Sequence, residues 1–419
     1  MSNQLESVTL TGVAERISRE IVADAVWQDD RCNWVGAMPE EGPGGRTTLT
    51  YRALGPDLYG GTAGVGLFLA ELAHTTGDPD STRTALAALR HAVSRIDDVP
   101  AFSRAGLYAG RPGVALALAL AARALGEDEL DSAARAVAAT IASDDAPTEH
   151  DLISGSAGAV VGLIALRALL DDETLLTDAI VHGDALLASA QQAESGICWP
   201  APSLPGTPAL TGFSHGAAGV AVALMELAAA TDEQGYRDAA DAGFAYERAL
   251  YDPSARNWPD LRTSSRAAGG EAGFATFWCH GAPGGALARL RALELGGDGD
   301  LRTEARAALS TTEAWVAAAL ESGNVNYSLC HGLTGDAEIL LEGSTALASP
   351  QSDLVLGVAA AGIDNYLERD TPWLSGAHGG PTPSLFLGLA GIGRFYLRLA
   401  QPELPSLLLV RPSDFTQGR

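Results

Sequence analysis

The chain has 419 residues, 47% of them hydrophobic but only 6% aromatic, and its 27 basic residues are all arginine. Without lysine, Schiff-base and lysine-nucleophile chemistry is excluded, pyridoxal enzymes included. A net charge of −25 opposes binding to nucleic acid or to an anionic membrane, and four cysteines, at 32, 198, 279 and 330, are too few for a disulfide-stapled secreted scaffold.

From the N-terminus, Met1 to Trp27 has no basic segment running into an apolar stretch, so no export signal is expected; Glu15, Arg16, Arg19 and Glu20 predict a surface helix. A Gly/Pro-rich loop is expected at Glu40 to Gly45. Residues 1–56 thus read as an extension packed on the remainder. The longest apolar run, Pro112 to Ala122, stops at Arg123 and is too short to cross a bilayer. A cytoplasmic protein without a membrane span is expected.

From residue 57 onward the chain repeats itself. Gly-x-x-Gly followed by an apolar stretch occurs at Gly61, Gly110, Gly155, Gly216, Gly281, Gly332 and Gly388, at intervals that leave room for two helices and two loops. The stretches after the motif, such as Val65 to Leu72 and Val220 to Ala229, are apolar nearly all round and predict buried inner helices. Segments between them, such as Ser81 to Ile96, Asp131 to Ser143, Glu233 to Leu250, Leu301 to Leu320 and Ser352 to Glu368, have one apolar face and predict outer helices. An open stack would expose two apolar ends. The expected fold is therefore all-α: a closed α/α toroid of seven helical hairpins and about fourteen helices, forming a single domain over 57–419. The inner-helix N-termini would all point to one mouth of the ring and give it positive potential.

The two residues before each motif glycine distinguish the repeats. They are Ser214-His215, Cys279-His280 and Cys330-His331 in repeats four to six, against Tyr59-Gly60, Tyr108-Ala109, Ile153-Ser154 and Phe386-Leu387 elsewhere. Repeat symmetry sets these slots at one height around the mouth. Two thiolates and an imidazole make a zinc shell with a fourth position left for substrate, and Cys279, Cys330 and His331 supply that set. Cys32 and Cys198 lie off the slots and read as structural.

Ser-His-Gly-Ala-Ala-Gly (214–219), Trp-Cys-His-Gly-Ala-Pro-Gly (278–284), Leu-Cys-His-Gly-Leu-Thr-Gly (329–335) and Ser-Leu-Phe-Leu-Gly-Leu-Ala-Gly-Ile-Gly (384–393) resemble the lanthionine synthetase C family across all seven repeats. Asn257-Trp258-Pro259-Asp260 also resembles the cyclase domains of its bifunctional members, without their dehydratase or kinase portions. The resemblance implies a free-standing bacterial cyclase with one zinc ion per chain, held by Cys279, Cys330 and His331. Its substrate would be a precursor peptide already dehydrated by a separate dehydratase, and its reaction the addition of cysteine thiols to dehydroalanine or dehydrobutyrine. His215 matches the family's acid/base histidine and Asp151 its aspartate; His280 stands where some members have tyrosine and is a candidate second acid.

Zinc would lower a thiol's pKa below its free value of roughly 8.5, and an imidazole of pKa roughly 6.5 suits delivery of the proton that the enolate needs. Asp57 stands at the same place in repeat one as Asp151 does in repeat three, so a turn-capping role competes with a catalytic one for Asp151. His378 reads as a loop residue. Three other functions compete: addition of glutathione or another small thiol to dehydroamino acids, a non-catalytic scaffold in a synthetase complex, and a prenyltransferase β-type subunit. The last needs a cationic diphosphate pocket, which a lysine-free ring of seven repeats fits poorly.

Overall fold

The computed structural model describes residues 7–42, 46–141, 149–262, 273–323, 325–347, 352–376 and 380–415. Each Gly-x-x-Gly motif opens a buried helix: α2 (Thr62–Thr76), α4 (Arg111–Leu125), α6 (Ser156–Leu170), α8 (Ala217–Thr231), α10 (Ala282–Glu294), α12 (Leu333–Leu347) and α14 (Leu389–Ala400). Successive members pack side by side, and α14 packs on α2, so the inner layer is a closed ring. The glycines serve close approach. At Gly335 a Cβ would run into the Leu329 carbonyl, and at Gly281, with φ of 88°, into that of Ala275.

The outer layer is α3 (Pro79–Ser94), α5 (Asp128–Ala138), α7 (Thr174–Ser189), α9 (Gln234–Ala249), α11 (Gly299–Ser322) and α13 (Ser352–Gly362), the last prolonged by a π-helical turn at Ile363–Glu368. The seventh outer place is taken by α1 (Ser7–Ala23), which packs along α14. Leu10, Val13, Ala14, Ile17 and Ile21 form its buried face, a helical period. Fourteen α-helices are therefore present among the described residues, but the ring's last outer helix comes from the 1–56 extension and not, as the repeat pattern predicts, from within 57–419.

One expectation is corrected. Glu40–Gly42 do not belong to a loop; they end strand β3 (Val35–Gly42), which pairs antiparallel with β4 (Arg46–Ala53), Val35 opposite Ala53 and Gly42 opposite Arg46. The β-branched and aromatic residues of Thr47 to Tyr51 supply a strand partner that outweighs the local glycine signal. A shorter hairpin, β1 (Val26–Gln28) with β2 (Arg31–Asn33), precedes it. The larger one is tied to the ring where the Ala37 N–H donates to the Pro381 carbonyl at 3.0 Å.

The slots are stitched together by backbone. Tyr59 N–H donates to Tyr108, Ala109 to Ile153, Leu152 to Ser214, Ser214 to Cys279, Trp278 to Cys330, Cys330 to Phe386, and Phe386 back to Tyr59, at 2.9 to 3.4 Å. This collar visits all seven repeats. It fixes the slot residues at one level of the mouth, as the symmetry argument requires.

Below the collar the bore is filled. Tyr108, Trp278 and Phe386 pack against one another with ring centroids about 5.0 Å apart. The C-terminal segment enters from the far end and buries Leu407, Leu408 and Leu409, whose first two carbonyls accept from the Tyr108 hydroxyl and the Trp278 indole. Around it, charged residues of the inner helices form buried pairs: Arg394 with Glu71 at 2.7 Å, Arg291 with Glu226, and Arg398 with Glu338 and Glu342. Among the described residues no helix is long and apolar enough to cross a membrane.

Candidate metal centre

Cys279 and Cys330 are brought into adjacency by the collar, in which Trp278 bonds to Cys330 directly. With His331 they form the one group of three metal-ligating side chains among the described residues, their ligand atoms all within 4.8 Å of one another. Both cysteines are buried. The His331 ring is fixed edge-on against Phe277, centroids 4.9 Å apart, and its Nδ1 is buried without a hydrogen-bond partner. A half-buried imidazole gathered with two buried thiols, one of its ring nitrogens left without a partner, is a donor set that a divalent cation of zinc's character satisfies. The donor set fits zinc.

The two sulfurs interact. A hydrogen bond from the Cys330 thiol, with His331 and His280 alongside, brings the Cys279 thiol well below the ordinary thiol range despite its burial. Cys330 moves the other way, pushed up by burial and by the neighbouring sulfur.

His215 lies next to this cluster through His280. The two imidazoles stack with centroids 5.4 Å apart and planes 22° apart. His215 Nδ1 donates to Asp151 Oδ2 at 2.7 Å, which leaves its Nε2 to the mouth. Burial works against the charged imidazolium, but the hydrogen bond and charge of Asp151 prevail and raise the His215 pKa above the ordinary histidine value. His280 is fully buried; burial pushes its pKa down to about 4. Its Nδ1 faces the Thr211 carbonyl at 3.3 Å, so Nδ1 carries the proton, while Nε2 is buried without a partner.

The two readings of Asp151 prove compatible. Its Oδ1 accepts from the Ser154 N–H at 2.7 Å, as Asp57 Oδ1 does from the Gly60 N–H, so both aspartates cap the same turn. Only Asp151 has a histidine on its second oxygen.

The segment carrying His215 is held from outside the ring. Glu247 on α9 is fully buried; its Oε1 accepts from the N–H groups of Gly212 and Ala218, and its Oε2 from Arg289. Thr211 bonds in turn to the Pro259 carbonyl. In the Asn257–Asp260 motif Trp258 donates to the Glu247 carbonyl, and Asp260 is buried beneath a two-pronged pair with Arg262. The Asn257–Asp260 segment stands out in the sequence as a motif, whereas Glu247, Thr211 and Arg262 escape a reading centred on cysteine and histidine. Cys32 and Cys198 are free, buried and apart from the cluster, and His378 lies outside the described residues.

The family described as lanthionine synthetase C-like protein matches residues 52–409. The chain belongs to the lanthionine synthetase C-like family. Among solved structures, nisin cyclase is similar over 98% of both chains, at 17% identity and a TM-score of 0.64, and shares the fold. A GH76 alpha-mannanase from Bacteroides thetaiotaomicron aligns over 95% of this chain and 96% of its own at 11% identity, with a TM-score of 0.49, too loose a likeness to carry an argument.

Proposed function

We propose that this member of the lanthionine synthetase C-like family is a zinc-dependent cyclase that joins cysteine thiols of a dehydrated precursor peptide to dehydroalanine or dehydrobutyrine, making thioether rings. The observation that carries this reading is the convergence of Cys279, Cys330 and His331 within 4.8 Å beside the Asp151–His215 pair. A zinc ion on those three ligands would leave one position free and supply the Lewis acidity that makes a peptide thiol a thiolate at neutral pH.

The chain's own residues account for the rest. When sulfur adds to the β-carbon of the dehydroamino acid, the new C–S bond leaves an enolate whose α-carbon needs one proton. His215, whose pKa the Asp151 hydrogen bond and charge raise, delivers it from Nε2. Asp151 fixes the tautomer and orientation of the imidazole while its other oxygen keeps the turn in place. The second-acid role expected of His280 is corrected: burial pushes its pKa down to about 4, so with Nδ1 tied to the Thr211 carbonyl it presents a lone pair at Nε2 and serves as an acceptor. The thiol loses a proton and the α-carbon gains one, so cyclisation leaves the peptide mass unchanged. Dehydration of serine and threonine is a different reaction, which we assign to a separate dehydratase in a bacterial cytoplasm.

The test is to incubate zinc-loaded protein with dehydrated peptides and count free thiols by alkylation and mass spectrometry. Loss of alkylatable thiol at constant peptide mass is expected. A gain of mass when glutathione is supplied would favour small-thiol addition, and full thiol retention with every peptide would favour the scaffold.

A further inference from the structure

Between the first hairpin and the start of the ring lies a cavity of about 790 Å³ that the proposed chemistry does not use. One wall is β1–β2. Antiparallel pairing sets Val26 opposite Asn33 and Gln28 opposite Arg31, so these four share one face of the hairpin, and all four line the cavity. The pair between them packs on α3, where Cys32 donates to the Thr84 carbonyl at 3.5 Å and Arg83 lies over the Trp27 ring. The opposite wall is the end of α3. There His91 bonds to Thr62 Oγ1 at 3.0 Å and to the Asn33 amide at 3.1 Å, and Thr62 is the first residue of α2, so this wall stands at the mouth end of the ring. The inner end of the cavity reaches the collar itself, at Asp57, which caps the turn before Tyr59, and at Ala109, whose N–H donates to Ile153.

The lining holds an unspent charge and an uncovered apolar side chain. Arg95 is paired with Asp98, and Asp57 Oδ1 is taken by the Gly60 N–H. Among the described residues Arg31 meets a carboxylate only at 4.0 Å, that of Asp30, which it shares with Arg90. Val26, on the same face, is 63% exposed. In a chain of net charge −25, an arginine so little neutralised beside an exposed valine is complementary to a stretch of peptide with an acidic and an apolar side chain.

Resting on the cyclase reading, we infer that this cavity is a second subsite for the substrate peptide, holding in extended form a stretch outside the thioether ring being closed, with an acidic side chain on Arg31 and an apolar one against Val26. The ring fixes how far that stretch lies from the reacting cysteine. Repeat one is two places from repeat six around the closed inner layer, through α14. At roughly 8–10 Å between neighbouring helices the gap is at most roughly 20 Å, which an extended chain at about 3.3 Å per residue crosses in about six residues. A peptide therefore reaches the subsite only if it runs on about six residues past the cysteine bound at the metal centre.

The test uses the zinc-loaded full chain and synthetic peptides with one dehydroalanine and one cysteine, extended past the cysteine by two or by about eight residues, the longer with leucines around a glutamate about six residues on. Thiol consumption is followed by alkylation. The longer peptide is expected to have a KM lower by roughly tenfold, and Arg31→Glu to remove that advantage while kcat is kept. Lysine in place of the peptide's glutamate should restore it on the Arg31→Glu protein, which loss of fold would not do. Gln28 replaced by the photo-reactive p-benzoylphenylalanine should cross-link to the longer peptide near its glutamate. Equal KM for the two lengths and no cross-link would overturn the subsite while leaving the cyclase reading intact. Thiols retained in both peptides with the cross-link still formed would count against the cyclase reading and keep the subsite, and retained thiols without a cross-link would overturn both.

Discussion

The two ends of the ring treat buried polar groups in opposite ways. At the far end every buried guanidinium meets carboxylates: Arg394 on Glu71, Arg291 on Glu226, Arg398 on Glu338 and Glu342. Single atoms such as Arg394 Nη1 remain over, but on side chains already bonded through their other nitrogens. At the mouth, whole ring nitrogens, His280 Nε2 and His331 Nδ1, are buried without partners beside two thiols. A buried polar atom without a partner costs roughly 1–3 kcal/mol. The far end satisfies its buried charges internally, whereas the mouth keeps donors that the proposed zinc would satisfy.

That contrast separates the expected effects of mutation. Removing a ligand acts most severely: Cys279→Ala should lose both zinc and thiol consumption while its far-UV circular dichroism stays helical. Retained metal by elemental analysis would break the distinction. At the other end, Glu71→Gln leaves Arg394 buried without its counter-charge and should cost about 3–5 kcal/mol in denaturant unfolding, with turnover per folded molecule kept. A large loss of turnover there would show that the two ends are not independent.

Within the mouth, His215→Ala should keep zinc and lower the rate by roughly 10²–10⁴-fold. Asp151→Asn is milder and sharper. The Asp151 charge holds the His215 pKa up, so neutralising it lets that pKa fall, and the protonated acid is lost at a lower pH. The alkaline limb of the rate profile should therefore move toward acid pH. An unmoved limb would leave Asp151 with only the turn-capping role it shares with Asp57.

The ring itself was legible because its determinants are local and repeated: a glycine that lets the Leu329 carbonyl approach α12 is needed in every unit, and so recurs seven times. The cysteines and histidines stood out against that background. What could not be read is non-local and occurs once. No periodicity couples α1 to α14, residues at opposite ends of the chain. The β3–β4 hairpin hid behind Glu40–Gly45, whose composition signals a loop although its first three residues pair in a strand. Charges such as Glu71 and Arg394 look like blemishes on apolar helices until they are seen to face each other across 323 residues of sequence.

The central claim is that the three side chains of the mouth grip one zinc ion. Zinc K-edge X-ray absorption on the purified full chain tests it most directly. The account predicts one zinc per chain with two sulfurs at about 2.3 Å and lighter ligands, one an imidazole nitrogen, at about 2.0–2.1 Å. A stoichiometric zinc without a sulfur shell, or no zinc uptake by the folded protein, would contradict it.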